Sequence, residues 1–184
     1  MIKCFLILFL SAIPALCGEL RFGPRVGVLT PGNISGISTH PGPGGYFGAA
    51  GEFPLSSLIA VELTTGAALG MGEPLGDQLP GYPSYDNHDA DYFSTDLALS
   101  VNPAVLTLAA GFGYYYIHMD WEQDLTGYDS EWKTVELNKI GYHFSVGVHY
   151  ERKIDLTMTF HFPESGNMWG MITLTFLPFK VQVL

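Results

Sequence analysis

Residues 140–150 read IGYHFSVGVHY, and the alternation within them decides the fold. Ile140, Tyr142, Phe144, Val146, Val148 and Tyr150 are apolar, whereas Gly141, His143, Ser145, Gly147 and His149 between them are small or polar. Successive side chains leave opposite sides of an extended backbone, so a strict period of two marks a strand with two unlike faces. A helix of this length would group its apolar residues three and four apart.

The same pattern recurs on both sides of this stretch. Apolar positions alternate from Leu20 to Val28, Phe47 to Phe53, Ile59 to Leu69, Phe93 to Val101 and Leu106 to Tyr116, then from Ile154 to Phe162 and Ile172 to Phe176. With 140–150 these make eight strands bounded by turn residues. The opposite face carries Arg21, Arg25, Glu52, Glu62, Asp96, Lys139, His143, His149, Asp155 and His161, set among Gly, Ala, Ser and Thr. Such a face makes a poor solvated surface and a good crowded interior. An eight-stranded barrel has room inside for side chains and little else. The large apolar face then points outward, towards lipid.

Connection lengths support that orientation. They run long over 31–44, short over 54–57, long over 70–91, short over 102–104, long over 118–134, short over 151–153 and moderate over 163–168. Outer-membrane barrels alternate short inner turns with longer external loops in this way, which places both chain ends on the inner side. Tyr46, Phe47, Tyr92, Phe93, Tyr114, Tyr116 and Trp169 are expected near the outer membrane interface, and Phe22, Phe53, Tyr150 and Phe176 near the inner one.

The N-terminus fits an exported protein. Lys3 precedes an apolar stretch from Phe5 to Ile13, followed by Ala15, Cys17 and Gly18, a signal-peptide pattern with cleavage expected after Cys17. Leu16 before Cys17 argues against a lipoprotein. Both cysteines, Cys4 and Cys17, lie within residues 1–17, so the barrel domain of residues 18–184 holds no thiol and no disulfide. The formal charge of −10, from 18 acidic and 8 basic residues, argues against nucleic acid as a partner. No window after the signal holds the roughly 18 consecutive apolar residues of a membrane helix.

The pattern resembles the small OmpA/OmpX-type barrels and the opacity-protein-like surface antigens. Its most specific part is the final strand WGMITLTF, Trp169 to Phe176, which looks like the terminal signal read by barrel-assembly machinery; here LPFKVQVL follows it. The resemblance implies an all-β, eight-stranded antiparallel up-and-down transmembrane barrel in the bacterial outer membrane, with outer-membrane lipid and the assembly machinery as partners. It also implies lumenal charge pairs that plug the barrel.

Three constellations carry possible chemistry. His143-Phe144-Ser145 is similar to the His-x-Ser of outer-membrane lipid A deacylases, but Val146 stands where that family has Asn, and parity turns both residues into the lumen. The inward ionisable groups read as mutually satisfied charges or as an ion path. Loops two and three gather ten acids, with Tyr82, Tyr85, Asp86, His88, Asp89, Asp91, Trp121, Tyr128 and Trp132 as a candidate surface for an extracellular partner. Asp86 to Asp91 is oxygen-rich but lacks EF-hand spacing, and neither a metal site nor a cofactor is expected. The expectation is a non-catalytic barrel, structural or surface-binding, with a narrow channel and a lipid A deacylase-like enzyme as alternatives.

Overall fold

The computed structural model of the 184-residue chain describes residues 18–32, 42–69, 71, 88–124, 130–164 and 167–183. The expected signal peptide lies outside them, as do Tyr82, Tyr85, Asp86 and Tyr128.

The described residues form nine strands: β1 (Gly18–Thr30), β2 (Gly44–Pro54), β3 (Ile59–Leu69), β4 (His88–Val101), β5 (Leu106–Asp124), β6 (Ser130–Tyr150), β7 (Ile154–Glu164), β8 (Asn167–Phe176) and β9 (Phe179–Val183). Each pairs antiparallel with its sequence neighbour from β1 through β8, and β1 closes the ring by pairing with β8. Strand β9 continues the line of β8. It pairs Phe179–Val183 with Phe22–Gly18 of the same β1, so β8 and β9 make one stave of an eight-stave barrel. Their interruption falls at Leu177 and Pro178, where proline has no N–H to give to the ladder.

The faces divide as parity requires. Ile140, Tyr142, Phe144, Phe112, Leu99 and Ile172 are exposed around the outside, Ile140 at 76%. Arg25, Glu52, Ser94, Asp96, His143, Thr159, His161 and Thr173 are buried inside. A barrel that exposes its aliphatic side chains and buries its arginine has lipid as its outer solvent.

Two features depart from the sequence reading. The stretch 118–134, expected as a loop, is largely strand: β5 and β6 pair continuously up to Asp124 opposite Ser130, and β4 follows as far as His88 opposite Trp121. Alternation persists there because Ile117, Met119, Val135 and Leu137 still pack inward. In addition, Tyr46, Tyr92 and Trp169, expected at the outer interface, are turned fully into the barrel. They share parity with Gly48, Ser94 and Met171 rather than with Phe47 and Phe93, which do face outward.

The short turns are tight. Tyr150 C=O accepts from Lys153 N–H at 3.0 Å across Glu151 and Arg152, both at φ 51°. Positive φ at both central residues makes this a type I′ turn, whose twist matches the hairpin it joins.

Candidate functional site

The lumen has two unlike halves. Near the short turns it is polar, because Arg25, Glu52, Glu62, Thr64, Thr107, Asp155, Thr157, Thr159 and Thr175 project there from six strands. Arg25 donates from Nε to Thr173 Oγ1 at 2.9 Å and from Nη2 to Thr159 Oγ1 at 3.2 Å. Hydroxyl pairs extend the web through Thr157–Thr173 at 2.9 Å and Ser145–Thr159 at 3.0 Å. The remaining cavity of about 40 Å³ has room for roughly three waters.

Asp96 stands at the middle of the barrel. Its Oδ1 lies 3.5 Å from His143 Nδ1 and 3.7 Å from His161 Nδ1, and Thr64 Oγ1 donates to Oδ2 at 3.4 Å. The register brings these groups together, with His143 opposite His161 on β6 and β7 and Thr64 opposite Asp96 on β3 and β4. At the turn end, Glu52 is directly opposite Glu62, a like-charge pair that the arginines must offset. Arg21 Nη1 stands 3.6 Å and Arg152 Nη1 3.8 Å from Glu52 Oε1. His149 Nδ1 contacts Thr107 Oγ1 at 3.2 Å, opposite Asp155 in the β6–β7 ladder.

Above Asp96 the lumen is filled by Tyr46, Tyr92, Tyr115, Trp169, Met119 and Met171, all at most 1% exposed. Tyr92 stacks on Trp169 with centroids 5.5 Å apart, and Tyr115 meets the His161 ring edge-on at 5.3 Å. Tyr115 and Arg152 are not among the lumenal residues that the sequence singles out. Tyr115 follows in strict parity from Thr107, Ala109, Gly111 and Gly113 and was legible there. Arg152 was not, because it reaches from the β6–β7 turn to the carbonyl of Ser57 in the β2–β3 turn, a partner fixed only when the barrel closes.

Lys139, expected in the lumen, is instead exposed. Pairing of β6 with β7 ends at Tyr142 opposite Phe162, so Lys139 lies above the level at which the wall encloses anything. Ser145 and His143 both line the lumenal cavity, away from lipid.

The third region is the three-strand sheet above the barrel. On its outer face Asp91, His118 and Glu136 occupy one cross-strand row, and Asp120 and Thr134 lie in the next. His118 Nε2 is 3.1 Å from Asp120 Oδ2 and its Nδ1 is 3.5 Å from Glu136 Oε1, while Thr134 Oγ1 donates to Asp120 Oδ1 at 2.5 Å. The Thr134 hydroxyl and the His118 ring hold the Asp120 carboxyl below its ordinary range. Trp132 is exposed on the same sheet. One row below, Phe93, Tyr116 and Asn138 mark where the apolar belt gives way to charge. Of the remaining predicted surface residues, His88, Asp89 and Trp121 lie on this sheet.

Among solved structures, the attachment invasion locus protein Ail of Yersinia pestis superposes with TM-score 0.54 at 11% identity, over 85% of this chain and 95% of that one. The chain has the fold of the small eight-stranded outer-membrane barrels. Ail in complex with the heparin analogue sucrose octasulfate gives 0.50 at the same identity and coverage. Neisserial surface protein A gives 0.47 at 11% identity, over 85% and 96% of the two chains. No family model and no curated protein matches the sequence. In this outer-membrane-type barrel the described residues begin and end with the paired Gly18 and Val183 at the short-turn end, and the β4–β6 sheet rises from the opposite rim.

Proposed function

We propose that this protein is a non-catalytic integral barrel of the bacterial outer membrane that is exported by residues 1–17 and meets partners through the β4–β6 sheet. The observation that carries this reading is the contrast between a sealed lumen and a chemically rich external sheet. The aromatic and methionine side chains between Asp96 and the outer rim leave no described passage, which counts against conduction. The inward aim of His143 and Ser145 counts against action on a membrane lipid. By contrast, Asp91, Asp120, Glu136 and Trp132 stand above the apolar belt with no lumenal task.

The test takes cells expressing the protein with an epitope tag inserted in 125–129. The tag should be accessible on intact cells, and outer-membrane fractions should show a band whose gel migration shifts on boiling. An inaccessible tag or a heat-insensitive band overturns the reading. A lipid A mass shift lost in Ser145→Ala would restore the enzyme alternative.

A further inference from the structure

Asp96 has two imidazole neighbours for one carboxylate. His143 on β6 and His161 on β7 are opposite each other in the ladder, their ring centroids 5.9 Å apart, and each has its Nδ1 nearest the same Oδ1 of Asp96. All three side chains are buried, His161 completely. One carboxylate offsets one imidazolium. A second proton sets two imidazolium rings side by side in a site that water does not screen.

The other ionisable groups around this centre do not relieve that load. Arg25 on β1 is a further cation, and its hydrogen bonds go to the Thr159 and Thr173 hydroxyls. Glu52 on β2, Glu62 on β3 and Asp155 on β7 line the same cavity nearer the short turns, and acid only diminishes their charge. From β2, β4, β5 and β8 come Tyr46, Tyr92, Tyr115 and Trp169, which stay neutral in acid. A falling pH therefore adds positive charge to the middle of the lumen and no negative charge.

His161 also joins this centre to the seal above it. Its Nδ1 lies 3.4 Å from the Tyr92 hydroxyl, and its ring meets Tyr92 edge-on at 6.1 Å and Tyr115 edge-on at 5.3 Å. Its Nε2 has no hydrogen-bond partner among the described residues. A protonated ring donates from both nitrogens, so an imidazolium at this position carries a buried N–H without an acceptor. Giving that N–H water requires the covering rings to move. His143, by contrast, lines the polar cavity, and protons reach the cluster there.

We propose that Asp96, His143 and His161 form an acid-operated latch on the aromatic seal. With at most one imidazole charged, His161 stays tucked beneath Tyr92 and Tyr115, and the lumen is closed. Protonation of both releases Tyr92, Tyr115 and Trp169 and admits water from the polar half. The sealed lumen described above is thus the state near neutral pH.

The test uses the full protein in detergent micelles with Trp121→Phe and Trp132→Phe, which leave Trp169 as the sole tryptophan. Its emission is followed from about pH 7.5 to about pH 4, across the histidine range. Emission at neutral pH should be blue-shifted and shielded from acrylamide. Acid should shift it reversibly to the red and raise quenching several-fold, while the gel band keeps its folded, heat-modifiable position. His143→Gln and His161→Gln, made singly, should each abolish the response, because glutamine cannot take up the charge. His149→Gln, at the turn end, should respond as wild type. Where His161→Gln yields no folded band, His143→Gln decides alone. Trp169 emission that ignores pH, a response that survives the glutamine variants or disappears with His149→Gln, or one that accompanies loss of the folded band, each overturns the proposal.

Discussion

Asp96 rests against the bare backbone of Gly113: a Cβ on that glycine would lie 2.1 Å from Asp96 Oδ1 and 2.4 Å from the Tyr115 hydroxyl. The absent side chain is what lets a carboxylate stand between two histidines at the middle of a filled barrel. Gly113→Ala should push Asp96 away from His143 and His161 and lower stability by about 1–3 kcal/mol, the range of overpacked cores. Urea titration of the refolded protein, followed by gel mobility, measures the loss. A midpoint equal to wild type would contradict the contact.

The aromatic seal predicts electrical silence. The wild-type protein in planar bilayers should pass no current. Tyr92→Ala combined with Trp169→Ala removes two stacked rings between the polar half and the outer rim, and each truncation should cost about 3–5 kcal/mol. Brief low-conductance openings are expected in the double variant. Steady wild-type conductance would show that the lumen is not sealed.

Arg152 straps the turn end by binding the Ser57 carbonyl and facing Glu52. Arg152→Ala should destabilise the barrel by about 1.5–3 kcal/mol, the range for a hydrogen bond to a charged group. Arg152→Lys should not rescue it, because an ammonium cannot serve two acceptors in the fork geometry of a guanidinium. Thermal midpoints of gel migration distinguish the two variants from wild type.

Glu151 occupies the first central position of the type I′ turn with φ 51°. Asn tolerates that conformation better than Glu, so Glu151→Asn should stabilise the protein by about 1 kcal/mol. The exposed ion pair to Lys153 at 2.8 Å is lost in the exchange and contributes little. A lower urea midpoint would refute the turn assignment.

The external sheet should respond to acid. Asp120 has its carboxyl depressed by Thr134 first and His118 next, so its contribution is fully present above the ordinary Asp range and fades as pH falls through the depressed value. Thr134→Val should raise the Asp120 midpoint towards the usual carboxylate range. NMR titration of the labelled carboxyl carbons reads this directly, and an unmoved midpoint would remove Thr134 as the cause.

Much of the architecture lay open in residue order alone. Alternation is a local property of extended backbone, so Ile140 to Tyr150 declared a strand with an apolar and a polar face before any neighbour was known. The inward placement of Asp96, His143 and His161 follows from the same parity, as does that of Ser145. Tyr46, Tyr92 and Trp169 obey it too, and only a general preference of aromatic residues for the interface suggested otherwise.

What residue order could not contain is the height of each stave relative to its neighbours. Lys139 and His143 share parity on one strand, yet His143 is buried and Lys139 exposed, because β7 accompanies β6 only as far as Tyr142. Enclosure depends on two paired strands ending at different levels. The reach of Arg152 to Ser57 depends likewise on closure of the ring. Alternation along one strand therefore determined the two faces, and tertiary structure decided where the lumen stops and what seals it.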